Sequence, residues 1–376
     1  MKINDFKLER YFAKHEFTAK YLFSSSDCDG YELKYLLENA SKDEMDLWEG
    51  IKLGYTESEG NPLLREAILQ YYKIKTIENV VVASPGELNF ISLNLLLNSE
   101  DHVITISPSY QSLSEVVKSI NCELSYWKPN PEIWKFNIAD LEKLIRKNTK
   151  LIILNFPHNP TGSYLTRGEL DEIVSIAKKH DLYLFSDEMY HKLIIDDLAE
   201  LPPISDIYEK GISLWGTSKT FGLAGLRIGW LVTQDTDFLR KVVAFKDYLS
   251  ICNSAPSEIL SIIALNNIDK FLPQNLIKIR KNVKLFSEFV GKHPIISSFI
   301  PPQTGSTSFV KLNIENSALE FSNQLVEKTG IMTIPSEMYE YPGKYIRVGF
   351  GRNNFTEVLE ILDNYLKTIK PAHSNA

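Results

Sequence analysis

Apolar runs of strand length alternate with amphipathic stretches through the middle of the chain. Val80-Val81-Val82-Ala83 reads as a buried strand, followed by a helix over about Glu87–Asn98. His102–Ile106 reads as strand and Tyr110–Ile120 as helix, then Cys122–Trp127 as strand and Asp140–Arg146 as helix. Leu151–Phe156 (strand) and Arg167–His180 (helix) follow, with Leu182–Phe185, Ile212–Trp215 and Arg227–Val232 as further strands. Continuous apolar runs mark strands covered on both faces, and their alternation with helices marks parallel βαβ units. One α/β domain is therefore expected over residues 48–255.

The rhythm changes after Pro256. A helical stretch over Glu258–Val290 precedes a strand at Ser308–Leu312, a helix near Leu319–Lys328, a strand at Tyr345–Phe350 and a last helix over Phe355–Ile369. Residues 256–376 thus read as a smaller α+β domain, with residues 1–47 packed on it. A chain of 376 residues exceeds one ordinary core, which agrees with a large domain plus a small one. Ligands of open α/β sheets bind beyond the carboxyl ends of the strands. Three such ends carry polar residues here: Asn155–Gly162, Asp187–Tyr190 and Gly216–Lys219. Loops at one sheet edge can converge on one ligand.

Composition removes several classes of function. The hydrophobic and charged fractions, 44% and 24%, are those of a soluble globular protein. A net charge of -7 without a long Lys/Arg run argues against nucleic acid and against a basic membrane surface as partners. The longest apolar stretches fall well short of the ~20 residues of a membrane-spanning helix. Met1-Lys2-Ile3-Asn4-Asp5 lacks the apolar core of a signal peptide. Cys28, Cys122 and Cys252 are odd in number and far apart, so no disulfide framework is expected, and the cytoplasm is the expected compartment. With no HExxH and no CxxC, no metal is expected either. His158 and His191 stand near the polar strand ends, as ligand contacts or as loop and pocket-wall residues.

The polar residues at these ends suggest chemistry, and each also has a plainer explanation. Lys219 follows an apolar strand and precedes Phe221-Gly222-Leu223-Ala224-Gly225-Leu226-Arg227. Desolvation and a nearby cation such as Arg227 lower a lysine pKa and suit it to covalent carbonyl chemistry. On spacing alone, a loop lysine at a domain edge stays open. Gly216-Thr217-Ser218-Lys219 lacks the spacing of a P-loop, and Gly222, Gly225 and Gly229 do not supply GxGxxG. Asp187 ends an apolar run, so its carboxylate needs a cationic partner, or else caps a helix. Tyr190, three residues on, serves the same site or is a core or rim tyrosine. Asn159-Pro160-Thr161-Gly162 is a turn that leaves the Asn side chain free to donate. Ser84-Pro85-Gly86-Glu87 joins strand to helix, either as an anion-binding N-terminus or as a plain turn.

Together these segments resemble the fold type I enzymes that depend on pyridoxal 5′-phosphate (PLP), specifically the class I/II aminotransferases. The likeness runs from about Gly54 to Arg352. It rests on Tyr55–Gly60 with Leu64–Ile68, Ser107–Tyr110, Asn155–Gly162, Asp187–Tyr190, Ser218-Lys219 with Gly225–Gly229, and Tyr345–Val348. Any one segment is weak; their order makes the likeness specific. It implies a large domain with a mostly parallel sheet of the seven-stranded type flanked by helices, plus a smaller α+β domain. It also implies PLP as cofactor, Schiff-based on Lys219. By position, Asp187 matches the partner of the pyridine nitrogen, Tyr190 and Asn159 the pair on the ring oxygen, and Tyr110 the aromatic on the ring face. Gly86 and Glu87 match backbone donors to the phosphate, Ser218 and Arg227 its side-chain ligands, and Tyr55 a tyrosine reaching the phosphate from the other subunit of a homodimer. Arg347 matches the grip on the substrate α-carboxylate, with Asn159 beside it. Three positions depart from the pattern. Gly216 replaces a frequent serine, Pro85 lacks an N–H, and Phe23-Ser24-Ser25-Ser26-Asp27 lacks the common glycine and Pro-Asp-Phe pattern.

The implied activity is ping-pong transfer of an amino group between an L-amino acid and a 2-oxo acid. Ser24-Ser25-Ser26, Asn155-Phe156-Pro157-His158 and Ser112-Leu113-Ser114-Glu115 also resemble a subgroup near capreomycidine synthase. That likeness implies elimination and cyclisation on the same cofactor as the alternative. A non-catalytic binding protein on the same fold is the third possibility. Intact Lys219, Asp187 and Arg347 argue against it.

Overall fold

The computed structural model describes residues 2–74 and 76–372. The apolar runs form one sheet of seven strands: β1 (Val80–Ala83), β2 (His102–Ile106), β3 (Glu123–Trp127), β4 (Thr149–Asn155), β5 (Tyr183–Asp187), β6 (Gly211–Gly216) and β7 (Gly229–Thr233). Their order across the sheet is β1-β7-β6-β5-β4-β2-β3. Strand β7 runs antiparallel to both of its neighbours, and every other pair is parallel. The expected α/β architecture, a mostly parallel seven-stranded sheet flanked by helices, is what the chain forms.

Both faces of the sheet are covered, which explains why its strands read as continuous apolar runs rather than alternating ones. Successive side chains point to opposite faces. Val81, Leu151, Ile153 and Phe185 accordingly join one apolar cluster with Leu88, Ile91 and Val242 from the helices Pro85–Leu96 and Thr236–Lys246. Ile152, Leu154 and Leu184 join another with Leu170, Ile173 and Ala177 of the helix Arg167–Lys179.

Beyond residue 255 the chain builds a four-stranded antiparallel sheet in the order Ile334–Pro335, Tyr345–Gly349, Thr307–Leu312, Ile296–Ser298. The long helical stretch is two helices, Ala255–Asn266 and Ile268–Val290, broken at Asn267 where ψ turns to 32°. The N-terminal segment packs both ways. Tyr21–Leu22 pairs in parallel with Ile331–Met332, and Phe23 sits with Phe286 and Phe355. Leu36 lies instead with Leu64, Val82 and Trp215 on the large sheet. The expected boundary at residue 47 falls inside the helix Lys42–Glu49, which Ser41 and Glu44 open with a capping box. Among the described residues, no helix is long and apolar enough to cross a membrane.

Candidate active site

The carboxyl ends of β4, β5 and β6 meet at a cavity of about 460 Å³. Its lining includes Gly86, Tyr110, Asn159, Asp187, Tyr190, Ser218, Lys219, Arg227 and Arg347. The cavity thus brings together residues more than 250 positions apart. Glu87 and Tyr55 stand outside the lining. The Glu87 carboxylate accepts from the Ser250 hydroxyl at 2.7 Å, and Tyr55 is 89% exposed.

Parallel register sets the floor of the site. Asn155 and Asp187 are paired across β4 and β5, and the Asn155 amide donates to the Asp187 carbonyl at 3.0 Å. The Asp187 carboxylate accepts from the Met189 N–H at 3.2 Å. Burial pushes the Asp187 carboxyl up to about 6, against that N–H and the charge of Lys219. Its neighbour Glu188 points the other way, to the Ile204 N–H and the Ser213 hydroxyl, and burial pushes it to about 8. Alternation at a strand end therefore gives the cavity one of two adjacent carboxylates.

The turn after β4 is braced from below. His158 contacts the Thr161 hydroxyl at 2.6 Å and the Pro108 carbonyl at 2.8 Å, and burial lowers its pKa to about 4. His191 packs edge-on against Trp215 and pairs with Glu200 at 3.2 Å. Both histidines are loop and wall residues outside the cavity lining. Gly162 closes the turn with φ at +71°, where a Cβ would meet Pro302 at 2.2 Å. The turn holds Asn159, whose side-chain Oδ1 accepts from Arg347 Nη1 at 3.3 Å.

Arg347 is 1% exposed. Its Nε donates to the Ser24 carbonyl at 2.9 Å and its Nη1 to the Tyr339 hydroxyl at 2.7 Å. Among the described residues, Nη2 has no partner. A buried guanidinium with one free arm in a cavity is a receptor for an anion.

Lys219 leaves β6 through the loop at Thr217 and Ser218, and its Nζ donates to the Ser26 hydroxyl at 2.9 Å. Burial lowers its pKa; Asp27 and Glu9 oppose the shift, and Arg347 and Arg352 add to it. Gly216 answers one departure seen in the sequence. A Cβ there would meet the Ile228 carbonyl at 2.9 Å, so β7 leaves no space for the usual serine.

Residues 23–27, marked in the sequence by their departure from the family pattern, contribute a further wall from the N-terminus. Ser25, Ser26 and Asp27 reach the cavity because residues 23–29 run along 349–351, through Gly349 N–H to Phe23 O and Asp29 N–H to Gly351 O. Glu9, Phe12 and Glu16 of the Lys7–His15 region close the same side. Glu9 accepts from the Tyr110 hydroxyl at 2.7 Å. Asp27 pairs with Arg352 at 3.1 Å. These are packing contacts between residues far apart in sequence, and hydrophobic periodicity does not mark them. Asn89, also in the lining, carries a local signal: it is a polar residue inside the apolar run Leu88-Asn89-Phe90-Ile91.

Residues 18–362 match the family described as aminotransferase class I and II. The chain belongs to this family. An aspartate aminotransferase of Sulfurisphaera tokodaii is 29% identical over 332 residues, covering 84% of this chain and 81% of that one. Capreomycidine synthase of Streptomyces vinaceus is 25% identical over 275 residues, covering 72% and 70%. The crystal structure of a PLP-dependent aminotransferase from Streptococcus suis superposes with a TM-score of 0.91 at 30% identity, covering 99% of this chain and all of that one.

This aminotransferase is accordingly a PLP-dependent enzyme, and the cavity fits the cofactor on its own features. A Cβ built on Gly86 meets nothing within 4 Å, so open space lies against the first turn of the helix Pro85–Leu96. First-turn N–H groups have no partners within a helix and face that space with the positive end of the dipole, as a phosphate requires. Pro85, at the first helical position, removes one such donor. Among the described residues, the Tyr190 hydroxyl, near Ser26, and both polar atoms of Asn89 are buried without a partner in good hydrogen-bond geometry. These are groups that a polar ring ligand would satisfy.

Proposed function

We propose that this enzyme transfers an amino group between an L-amino acid and a 2-oxo acid by ping-pong chemistry. One observation carries the proposal: Lys219, whose burial favours the neutral amine, shares a cavity with the free arm of Arg347, a receptor for a carboxylate. When bound, PLP supplies the electron sink that lets an amino-acid Cα–H bond ionise. Lys219 would hold the cofactor covalently, and its Nζ as the free amine would move the proton to and from the substrate Cα. Asp187 holds the pyridine nitrogen in its protonated form. Tyr190 and Asn159 bind the ring oxygen, and Tyr110 covers the ring face. The Gly86 and Glu87 N–H groups, Ser218 and Arg227 take the phosphate. Arg347, with Asn159 beside it, grips the α-carboxylate and so orients the bond that breaks.

The partner is a second copy of this chain. Tyr55 stands outside its own cavity at 89% exposure, beside Leu53 at 83%, which supports a role for Tyr55 across a subunit interface.

The test is a donor screen with and without a 2-oxo acid acceptor. Glu9, Glu16 and Asp27 line one wall, so donors with basic side chains belong at its head. Stoichiometric 2-oxo acid that requires an acceptor is expected. The likeness to capreomycidine synthase supports a second reading, elimination and cyclisation on the same residues. Turnover that continues without acceptor, with a ring-closed product, would establish it and sink transfer.

Arg347→Lys keeps the charge and loses the planar fork. It is expected to lower kcat/KM by roughly 10²-fold, mainly through KM for both amino and oxo acids. The visible spectrum of the bound cofactor stays as in the parent. An unchanged KM for both substrates would remove Arg347 from the carboxylate site.

A further inference from the structure

We propose that Asn89 is a cofactor-binding residue whose carboxamide hydrogen-bonds a polar group of bound PLP. The inference needs only the cofactor that the family carries. It holds whether the enzyme transfers or eliminates.

Asn89 lies one turn into the helix Pro85–Leu96, between Leu88 and Ile91, both fully buried in the core. It is 2% exposed and lines the cavity together with Gly86, Asp187 and Leu214. A carboxamide has two donors and two acceptor sites. Among the described residues, neither Nδ2 nor Oδ1 of Asn89 has a partner.

The other buried asparagines show how unusual this is. Asn79 donates to the Thr233 carbonyl, Asn155 to that of Asp187, Asn275 to that of Thr220, and Asn282 to those of Phe350 and Arg352. Asn159 accepts from Arg347. An asparagine kept for helix structure bonds its own backbone, as Asn94 does to the Phe90 carbonyl at 2.8 Å. Asn89 does none of these things. Buried amides are matched in folded proteins, because leaving both ends empty is costly. Asn89 lines the cofactor cavity, and its partner comes from there. Such a residue weakens the ligand-free protein and strengthens the loaded one.

Asn89→Leu separates this role from a structural one, because it keeps the size and removes the orphaned amide. PLP is titrated into ligand-free protein and followed by visible absorbance and quenching of intrinsic fluorescence. Melting temperature is read with and without PLP. The expected result is a dissociation constant raised by about 10- to 100-fold, the scale of one or two buried hydrogen bonds. The ligand-free melting temperature stays the same or rises, so the increment conferred by PLP shrinks. A dissociation constant within about twofold of the parent overturns the proposal, and a lower ligand-free melting temperature then marks an amide matched by buried water. If the leucine variant does not fold, Asn89→Ala undergoes the same titration. Parental PLP affinity in that variant overturns the proposal equally.

Discussion

With Lys219 replaced by alanine, turnover falls by roughly 10⁴-fold or more, because one side chain supplies both the covalent hold on the cofactor and the base at Cα. The protein still folds. Among the described residues, the Lys219 side chain makes a single hydrogen bond, to the Ser26 hydroxyl, and its burial works against the charged form. Removing an amine that is costly to bury does not weaken the native state. Lys219→Ala should therefore match the parent in its thermal transition. PLP still enters, held by the remaining groups around the cavity, but the visible band of the covalently held cofactor is lost. Millimolar methylamine should restore part of the rate, since a small primary amine fits the vacated space. Rescue by an amine is something a merely structural lysine would not show. A variant within tenfold of parental kcat would remove Lys219 from the mechanism.

The parts of this site legible in the sequence are those that lie at strand ends. Asn155, Asp187 and Gly216 each close an apolar run, and parallel register brings three such ends to one edge. That much follows from period and topology. Residues 23–27 are marked in the sequence only as a departure from the family pattern, which does not give their position. Their place beside Gly349 and Gly351 is set by close backbone approach across more than 300 positions. A Cβ on Gly349 would stand 1.9 Å from the Ser25 carbonyl. Glu9 lies in, and Glu16 just after, an amphipathic helix that looks in sequence like any surface helix. Tyr55 was picked out by its segment and is solvent-facing in the single chain, since its proposed surroundings belong to another copy. Asn89 carries a local signal in the sequence. A polar residue breaking an apolar helix beside a phosphate-type turn is a signal in its own right.

Asp187→Asn should have opposite effects on catalysis and on stability, and the signs follow from one observation. Burial raises the Asp187 carboxyl from its ordinary value of 3.8 to about 6 in the ligand-free fold. Its folded pKa therefore lies above the unfolded one, so the native state holds the proton more tightly. Below pH 4 both states are protonated and the group is neutral in its effect. Between about pH 4 and 6 the unfolded state gives up its proton first, and stability is lost as pH rises. Above pH 6 the whole penalty is present, about 3 kcal/mol for two pKa units in a fully buried group. Asparagine carries no such penalty. Ligand-free Asp187→Asn should thus be the more stable protein at pH 7.5, by up to about 3 kcal/mol, and equal to the parent near pH 4. Denaturant unfolding at the two pH values reads this directly. Activity moves the other way. The carboxylate is proposed to keep the pyridine nitrogen protonated, and a neutral amide cannot, so kcat should fall by roughly 10²- to 10⁴-fold. Added PLP should also reverse the stability order, because the parent then gains a cation for its buried charge and the variant does not. A variant that is less stable than the parent at pH 7.5 without cofactor would show that Asp187 is held by partners of its own, and the case for its waiting on a pyridine nitrogen would fail with it.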